Sequence, residues 1–259
     1  MFDDLRQYVD WLKAKNLITV VKKKVSSELE ITEVVTRLIE NQGPTVLFEN
    51  VDGNKIPVVA NLFGSESKMS NALGVSSLND LYDKSNDIIS LIDKENNSFK
   101  EKIDTLFTVL NMRKIKPKHV KNAPCHELIY DTSEFNLNDL PALKSWPSDA
   151  GKYLTSAMVI STNPTNNKRN VGMYRIQILD ELNAIMHWQS YKGGSQNENH
   201  AKDLGISKIP VAIVLGCDTV SMWSASAPLP PDIDEFMLSG FIRSKPVELV
   251  KCKSIDIMV

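Results

Sequence analysis

The chain has 259 residues, of which 42% are hydrophobic and 24% charged, and its formal net charge is −2 at pH 7. This composition is typical of a globular protein and excludes a disordered chain, a collagen-like repeat and a coiled coil. Because the charges are nearly balanced, there is no global basic field, and we expect no nucleic-acid partner. The length indicates two domains.

The sequence also bears on compartment and membrane association. No apolar run reaches the ~18 residues that a membrane-spanning helix needs, so we expect no stable membrane insertion. The first residues, Met1–Arg6, lack the order of basic and then apolar residues that marks a signal peptide. Cys125, Cys217 and Cys252 form neither a disulfide framework nor a zinc motif. We therefore predict a cytoplasmic protein, in which Cys217 is core filler rather than a nucleophile.

The first part of the chain has the periodicity of mixed α/β structure. Apolar residues at helical spacing predict helices near 5–12 and 28–41. Runs rich in β-branched residues predict strands at 17–21 and 45–48, and the Asp52-Gly53 turn predicts a return strand at 57–60. Residues 65–112 are predicted to be mainly helical.

The second part of the chain is rich in short alternating runs separated by turn residues. We take residues 1–112 as an N-terminal α/β domain, residues 113–124 as a basic, proline-containing linker, and residues 125–259 as a β-rich domain. Strands are predicted at 158–162, 172–178, 184–188 and 211–216, and helices at 197–204 and 234–242. Strands spaced in this way indicate a β-barrel or β-sandwich.

Several polar residues near the ends of these strands are candidate site residues. Asn170 and Arg175 are five positions apart, which places them on opposite faces of a regular strand. Asn170, His200 and Glu235 together would suit Mg²⁺ or Mn²⁺, and Arg175 would suit a carboxylate or phosphate.

Each candidate also has a purely structural explanation. Arg175 can be a surface residue, and His187 can be a strand-end histidine bonded to backbone. His200, predicted to follow a polar loop over 193–199, can be an exposed residue at a helix start, and Glu235 can simply complement a helix dipole. Spacing alone does not decide between these interpretations.

Several strings occur in the order found in one protein family. They are Trp146–Tyr153, Arg169–Arg175, Met186–Trp188 with Lys192–Gly194, Ile209–Ala212 with Leu215-Gly216, Pro228–Pro230 with Asp234-Glu235, and Pro246–Cys252. Through them the chain resembles the UbiD family of decarboxylases, which use prenylated FMN. The resemblance spans the whole chain.

The resemblance implies a fold and a cofactor site. It implies an α/β N-terminal domain followed by a mainly β, flavin-reductase-like split barrel that binds FMN. The implied metal ligands are Asn170, Glu235 and a histidine, for which His200 fits better than His187. The metal is expected to be Mn²⁺ or Mg²⁺, with K⁺ as a further candidate. The residues expected to contact the flavin are Asn170, Gly172, Met173, Arg175, His187, Asn199, Gly216 and Ser224.

The resemblance also implies an activity. Members release CO₂ from aromatic or α,β-unsaturated acids through a covalent adduct with prenylated FMN, and Arg175 corresponds to the arginine of a glutamate–arginine–glutamate network. The polyprenyl-hydroxybenzoate of ubiquinone synthesis, small aromatic or acrylic acids and phosphorylated isoprenoid acids all remain candidate substrates. A flavin prenyltransferase is the expected cofactor supplier, and a homo-oligomer is expected.

Relatives of this kind continue beyond the point that corresponds to Val259, into segments that carry both glutamates of the network. We therefore expect this chain to be a truncated form that is nearly inactive by itself, since loss of a proton donor typically costs ~10²–10⁴-fold in rate. Two alternatives remain open: a module that binds prenylated FMN and metal without catalysis, and a flavin reductase.

Overall fold

The computed structural model describes residues 1–52, 54–83, 115–230 and 233–259. The helices are α1 (Leu5–Ala14), α2 (Glu30–Glu40), α3 (Glu66–Leu73), α4 (Gly193–Asp203), α5 (Thr219–Ser224) and α6 (Glu235–Arg243). The strands are β1 (Ile18–Val21), β2 (Thr45–Phe48), β3 (Val58–Ala60), β4 (Lys118–Val120), β5 (Tyr153–Thr162), β6 (Arg169–Ile178), β7 (Ala184–Met186), β8 (Val211–Val214) and β9 (Glu248–Val250). Among the helices in these ranges, none has the length and apolar character needed to cross a bilayer.

The N-terminal region is a three-stranded sheet with the strand order β1-β2-β3. Strands β1 and β2 are parallel and joined through α2, whereas β3 returns antiparallel to β2, as the turn at Asp52 predicts. Every residue of β2 is buried, because helices and loops cover both faces of this central strand. The helices and strands predicted over residues 1–60 are confirmed.

Helix α1 links this sheet to the β-rich part of the chain. Asp4 caps the helix by accepting a hydrogen bond from the Gln7 amide. Tyr8 and Leu12, both almost fully buried, belong to one core cluster with Met222 of α5. The two regions therefore share a hydrophobic core.

Part of the sequence prediction falls where the structure gives no description. Helix α3 and the helical residues 78–83 confirm the predicted helical character of this stretch, and residues 84–114 lie outside the described residues. Within the segment predicted as a linker, strand β4 pairs in parallel with β9.

The β-rich region is built on an antiparallel sheet with the strand order β7-β6-β5-β8. It curls into a half-barrel accompanied by helices. One core cluster includes Met158 and Ile160 of β5, and a second includes Ala157 and Val159, so the alternation along β5 supplies both faces of the sheet. Helix α6 contributes Phe236 to the first cluster, and this packing places Glu235 next to β6.

Several sequence predictions in this region are wrong at their boundaries, and strand β6 begins at Arg169 rather than at Gly172. Helix α4 begins at Gly193 rather than at residue 197, so the predicted loop over 193–199 is helical. The Gly193-Gly194 pair has low helix propensity, so the sequence does not indicate a helix start here. Glycine occurs at this position because the backbone of α4 approaches β6 closely. Strand β5 begins at Tyr153 rather than at Met158, because a register shift between Leu154 and Ala157 interrupts its alternation.

Candidate functional site

A cleft of about 790 Å³ opens beside strand β6. Its walls are the N-terminal half of β6, one face of α4, the segment that follows α5, and the first residue of α6. A cavity of this size is in the range of small-molecule and cofactor sites, about 300–1,000 Å³. Its polar lining residues include Asn163, Arg169, Asn170, Lys192, Asn197, His200 and Glu235.

Helix α4 presents a regular stripe of residues to the cleft. Gly193, Gln196, Asn197 and His200 all line it, and their i, i+3, i+4 and i+7 spacing defines one helical face. His200 thus lies two turns inside the helix and does not open it. The Nδ1 atom of His200 is buried and has no hydrogen-bond partner among the described residues.

Asn170 lies against the start of the same helix. A Cβ atom at Gly193 would clash with Oδ1 of Asn170, so a larger residue at this position would force the Asn170 side chain to move. The side-chain nitrogen of Asn170 is buried and lacks a hydrogen-bond partner within the described part of the chain. Buried polar atoms normally have partners, so the orphaned atoms of Asn170 and His200 mark a place where a bound group would complete the hydrogen bonding or coordination.

Glu235 is fixed by the neighbouring strand. The Val171 amide donates a 2.8 Å hydrogen bond to its Oε2 atom and holds the carboxylate beside β6. Burial raises the pKa of Glu235 to about 7, and the adjacent carboxylate of Asp234 adds to this rise against the hydrogen bond from Val171. A nearby positive charge would stabilise the ionised form of such a carboxylate.

An ion pair next to Glu235 orders the same corner. Asp234 caps α6 by accepting a hydrogen bond from the Phe236 amide, and it also accepts one from Arg169 at 2.9 Å. The Arg169 guanidinium lies 5.4 Å from the centre of the Phe236 ring. Arg169 is therefore committed to holding the start of α6 in place.

Asn197 is a cleft residue that the sequence analysis missed. It is only 4% exposed, and its side chain donates a 2.9 Å hydrogen bond to the fully buried hydroxyl of Ser161 on β5. Asn197 and His200 both fall within the helix predicted over 197–204, three residues apart, so a shared helical face was the signal that could have identified Asn197. Asn199, which the sequence analysis named instead, is exposed and does not line the cleft.

The structure brings some of the predicted site residues together and leaves others apart. Asn170, Gly172, Met173, His200 and Glu235 all line the cleft. The lining excludes a second group of predicted residues: Arg175, His187, Asn199, Gly216 and Ser224.

Three members of that second group have clear positions elsewhere. His187 is exposed, and its backbone amide donates to the Arg175 carbonyl. Gly216 lies in the loop after β8 with a φ of +76°. Ser224 is fully buried at the end of α5, one residue before the cleft wall begins at Ala225.

Arg175 has contacts of its own outside the cleft lining. Its Nη2 atom lies 2.8 Å from both carboxylate oxygens of Asp149. Its guanidinium also stacks 4.1 Å from the centre of the Tyr153 ring. Arg175 therefore lies away from Asn170, as their odd spacing predicts.

Comparison with known families assigns both regions of the chain. Residues 117–259 match the 3-octaprenyl-4-hydroxybenzoate carboxy-lyase Rift-related domain, UbiD, and residues 9–86 match the corresponding N-terminal domain. The first match alone covers more than half of the chain. The chain belongs to the UbiD family.

A relative at the sequence level comes from Aquifex aeolicus. This uncharacterized protein is 39% identical over 258 residues, which cover 99% of our chain and 52% of the relative. Our UbiD-family chain thus spans about half the length of this relative.

Solved structures of UbiD-class enzymes share the fold. An evolved dimeric form of HmfF from Pelotomaculum thermopropionicum, in complex with prFMN, matches all of our chain and 55% of its own, with a TM-score of 0.80 and 22% identity. Vanillic acid decarboxylase from Sedimentibacter hydroxybenzoicus, in its closed form, matches with a TM-score of 0.79 and 26% identity, over 100% of our chain and 52% of its own.

Proposed function

We propose that this chain forms the cofactor-binding part of a UbiD-type decarboxylase that acts on an aromatic or α,β-unsaturated carboxylic acid with the help of prenylated FMN. The observation that carries the proposal is the convergence of Asn170, His200 and Glu235 in one cleft. They come from three separate elements, β6, α4 and α6, and the sequence resemblance assigns the same three residues to a metal.

The cation in this proposal is Mn²⁺ or Mg²⁺, with K⁺ as a further candidate. Within the described ranges, no group of three or more His, Cys, Asp or Glu side chains is placed to hold a metal ion. The amide oxygen of Asn170 would therefore complete the set with His200 and Glu235, and oxygen-rich sets of this kind suit hard cations. The orphaned Nδ1 atom of His200 and the neighbouring carboxylate of Glu235 support this fit.

The flavin in this proposal would occupy the cleft beside β6, within a split β-barrel to which the curled sheet belongs. Its phosphate would share the cation and lie near the start of α4, where Lys192 provides no side-chain cap. When bound, prenylated FMN supplies the dipole that accepts the electron pair left behind as CO₂ departs.

Arg175 would act on the substrate rather than on the phosphate. Its side chain is 39% exposed, and the guanidinium has donors beyond the Nη2 atom that contacts Asp149. A guanidinium with donors to spare is suited to a substrate carboxylate, which it would orient towards the flavin. His187 precedes Trp188 near the same end of β6 and would contact the cofactor from that side, and Asn199, Gly216 and Ser224 remain predicted cofactor contacts.

The wider setting is also part of the proposal. We propose the domain division at residues 113–124, a cytoplasmic location, a homo-oligomer and a flavin prenyltransferase as the source of cofactor. The dimeric form recorded for the HmfF relative supports the homo-oligomer in this proposal.

One reconstitution experiment tests the proposed function. The chain is loaded with prenylated FMN and Mn²⁺, and CO₂ release is measured with hydroxybenzoate, cinnamate and related acids. CO₂ release that is lost in Glu235→Gln supports the proposal. Uptake of flavin and metal without CO₂ release favours the binding module, oxidation of NAD(P)H without metal dependence favours the flavin reductase, and failure to bind either group contradicts the proposal.

A further inference from the structure

The turn formed by Trp146–Asp149 carries a carboxylate that the proposed function has not used. The Asp149 side chain is only 9% exposed, although it lies in a surface turn. Both of its oxygens lie 2.8 Å from Nη2 of Arg175, on a strand 26 residues further along the chain. Hydrogen bonds between charged groups of this length are among the strongest that proteins form.

Asp149 is itself held by the backbone of its own turn. Its Oδ2 atom accepts hydrogen bonds from the amides of Ser145 at 3.2 Å and Trp146 at 3.0 Å. The Asp149 amide in turn donates to the Trp146 carbonyl at 3.0 Å. The carboxylate is therefore a fixed acceptor and does not swing with a flexible side chain.

The electrostatics of the carboxylate agree with this geometry. Burial opposes its ionisation, but the hydrogen bonds from Arg175, Trp146 and Ser145 outweigh burial and hold the pKa of Asp149 below its usual range. Asp149 is therefore ionised at neutral pH, and it faces Arg175 as a full charge.

A second contact fixes the plane of the guanidinium. Arg175 stacks on the ring of Tyr153, whose hydroxyl donates a 3.2 Å hydrogen bond to Gln177. Asp149 then fixes the rotation of the guanidinium within that plane, because both oxygens meet the same nitrogen. A partly exposed arginine side chain would otherwise sample several rotamers.

We propose that Asp149 is a positioning residue, which holds the Arg175 guanidinium in one orientation so that its remaining donors face the substrate carboxylate; this inference rests on the proposed function. Asp149 does not contact the substrate in this account. It acts through Arg175, and the turn that carries it belongs to the string Trp146–Tyr153 by which the sequence resembles the family.

The test compares Asp149→Asn, Asp149→Glu and the neighbouring exposed control Ser148→Ala. Asparagine retains an oxygen that can accept the Ser145 and Trp146 amides, so the turn is kept while the charge that faces Arg175 is removed. The Arg175 side chain is observed by NMR in protein with ¹⁵N-labelled arginine, and its signal is assigned by its loss in Arg175→Lys.

We expect separate Hη resonances for Arg175 in the wild type and in Ser148→Ala, because rotation about the Cζ–Nη2 bond is slow when Nη2 is held. In Asp149→Asn these resonances should average. In the protein loaded with prenylated FMN and Mn²⁺, kcat should fall by about 10- to 100-fold, the range that misplacement of a reacting group produces. Asp149→Glu should partly restore both the separate Hη resonances and kcat.

Unchanged Hη resonances in Asp149→Asn, or averaged resonances without any fall in kcat, would overturn the positioning role. If the wild-type protein binds neither prenylated FMN nor Mn²⁺, the proposed function fails, and the Hη spectra still decide whether Asp149 orients Arg175. Equal thermal stability of Asp149→Asn and Ser148→Ala excludes a merely structural explanation for the changes.

Discussion

The two ends of strand β6 differ in how their polar groups are satisfied. At the Asn170 end, buried nitrogen atoms of Asn170 and His200 lack hydrogen-bond partners among the described residues. At the Arg175 end, the guanidinium has both an ionic partner, Asp149, and an aromatic one, Tyr153. The two ends belong to one strand of ten residues, so their difference arises from what surrounds them.

This difference indicates a cofactor-binding site at the Asn170 end and a pre-oriented substrate-binding group at the Arg175 end. Leaving buried polar atoms without partners costs free energy of about 1–3 kcal/mol per group, which a bound ion or cofactor would recover. A guanidinium that is already held by Asp149 and Tyr153 instead loses little conformational entropy when a substrate binds. The account therefore predicts that changes at the Asn170 end alter binding, whereas changes at the Arg175 end alter reaction.

The largest expected effect is at Glu235. Glu235→Gln keeps an oxygen that can accept the Val171 amide and removes the charge, so the affinity for Mn²⁺ should fall by at least about 100-fold, more than outer-shell changes produce. Isothermal titration with Mn²⁺ measures this effect. Glu248→Gln on the exposed face of β9 is the matched control, and equal losses in both variants would remove Glu235 from the site.

The two histidines should differ clearly. Electron spin-echo measurements on the Mn²⁺-loaded protein should show a ¹⁴N coupling from a bound imidazole. That coupling should vanish in His200→Gln and persist in His187→Gln, since only His200 lines the cleft. The opposite pattern would assign the metal ligand to His187 and contradict a metal site at the Asn170 end of β6.

A substitution on α4 should have a smaller effect. Gly193→Ala places a methyl group against Oδ1 of Asn170 and should displace that side chain. We expect a loss of about 1–3 kcal/mol in stability, as in other over-packed contacts, and about a 10-fold weaker affinity for Mn²⁺. Thermal unfolding and titration report the two effects, with Glu198→Ala on the same helix as the control; retained affinity would show that Asn170 is not a ligand.

The last prediction concerns the pH dependence of stability in the metal-free protein rather than metal binding. Burial raises the pKa of Glu235 to about 7, above the value for an unfolded chain, so its contribution to stability is complete below about pH 4.5 and is lost as the pH rises to 7. The wild type should lose up to about 3 kcal/mol over this range relative to Glu235→Gln. Chemical denaturation at pH 4.5 and pH 8 tests the sign, and a wild type that gains relative stability would contradict the burial of this carboxylate.

Local periodicity was enough to predict much of the fold. The spacing of Leu5, Tyr8 and Leu12 predicts α1, and the β-branched runs predict β1 and β2, because these elements bury a regular face. The start of α4 could not be predicted in this way. Its two glycines occur because this turn of the helix packs closely against β6. Such tertiary packing leaves no periodic pattern in the sequence.

The site shows the same division. The resemblance named Asn170, His200 and Glu235, which the structure places in one cleft. Asn197 went unrecognised because the face of α4 that enters the cleft is set by tertiary packing against β5 and β6. The pairing of Asp149 with Arg175 joins residues 26 positions apart through a surface turn. No helical or strand period connects such residues, so only the folded structure reveals this contact.

The central claim is that Asn170, His200 and Glu235 surround one cation. An anomalous-difference map of crystals grown with Mn²⁺, recorded at the manganese edge, tests it most directly. The account predicts one strong peak in the cleft within about 2.5 Å of a side-chain atom from each of the three residues. A peak elsewhere, or one that contacts fewer than two of them, would contradict it.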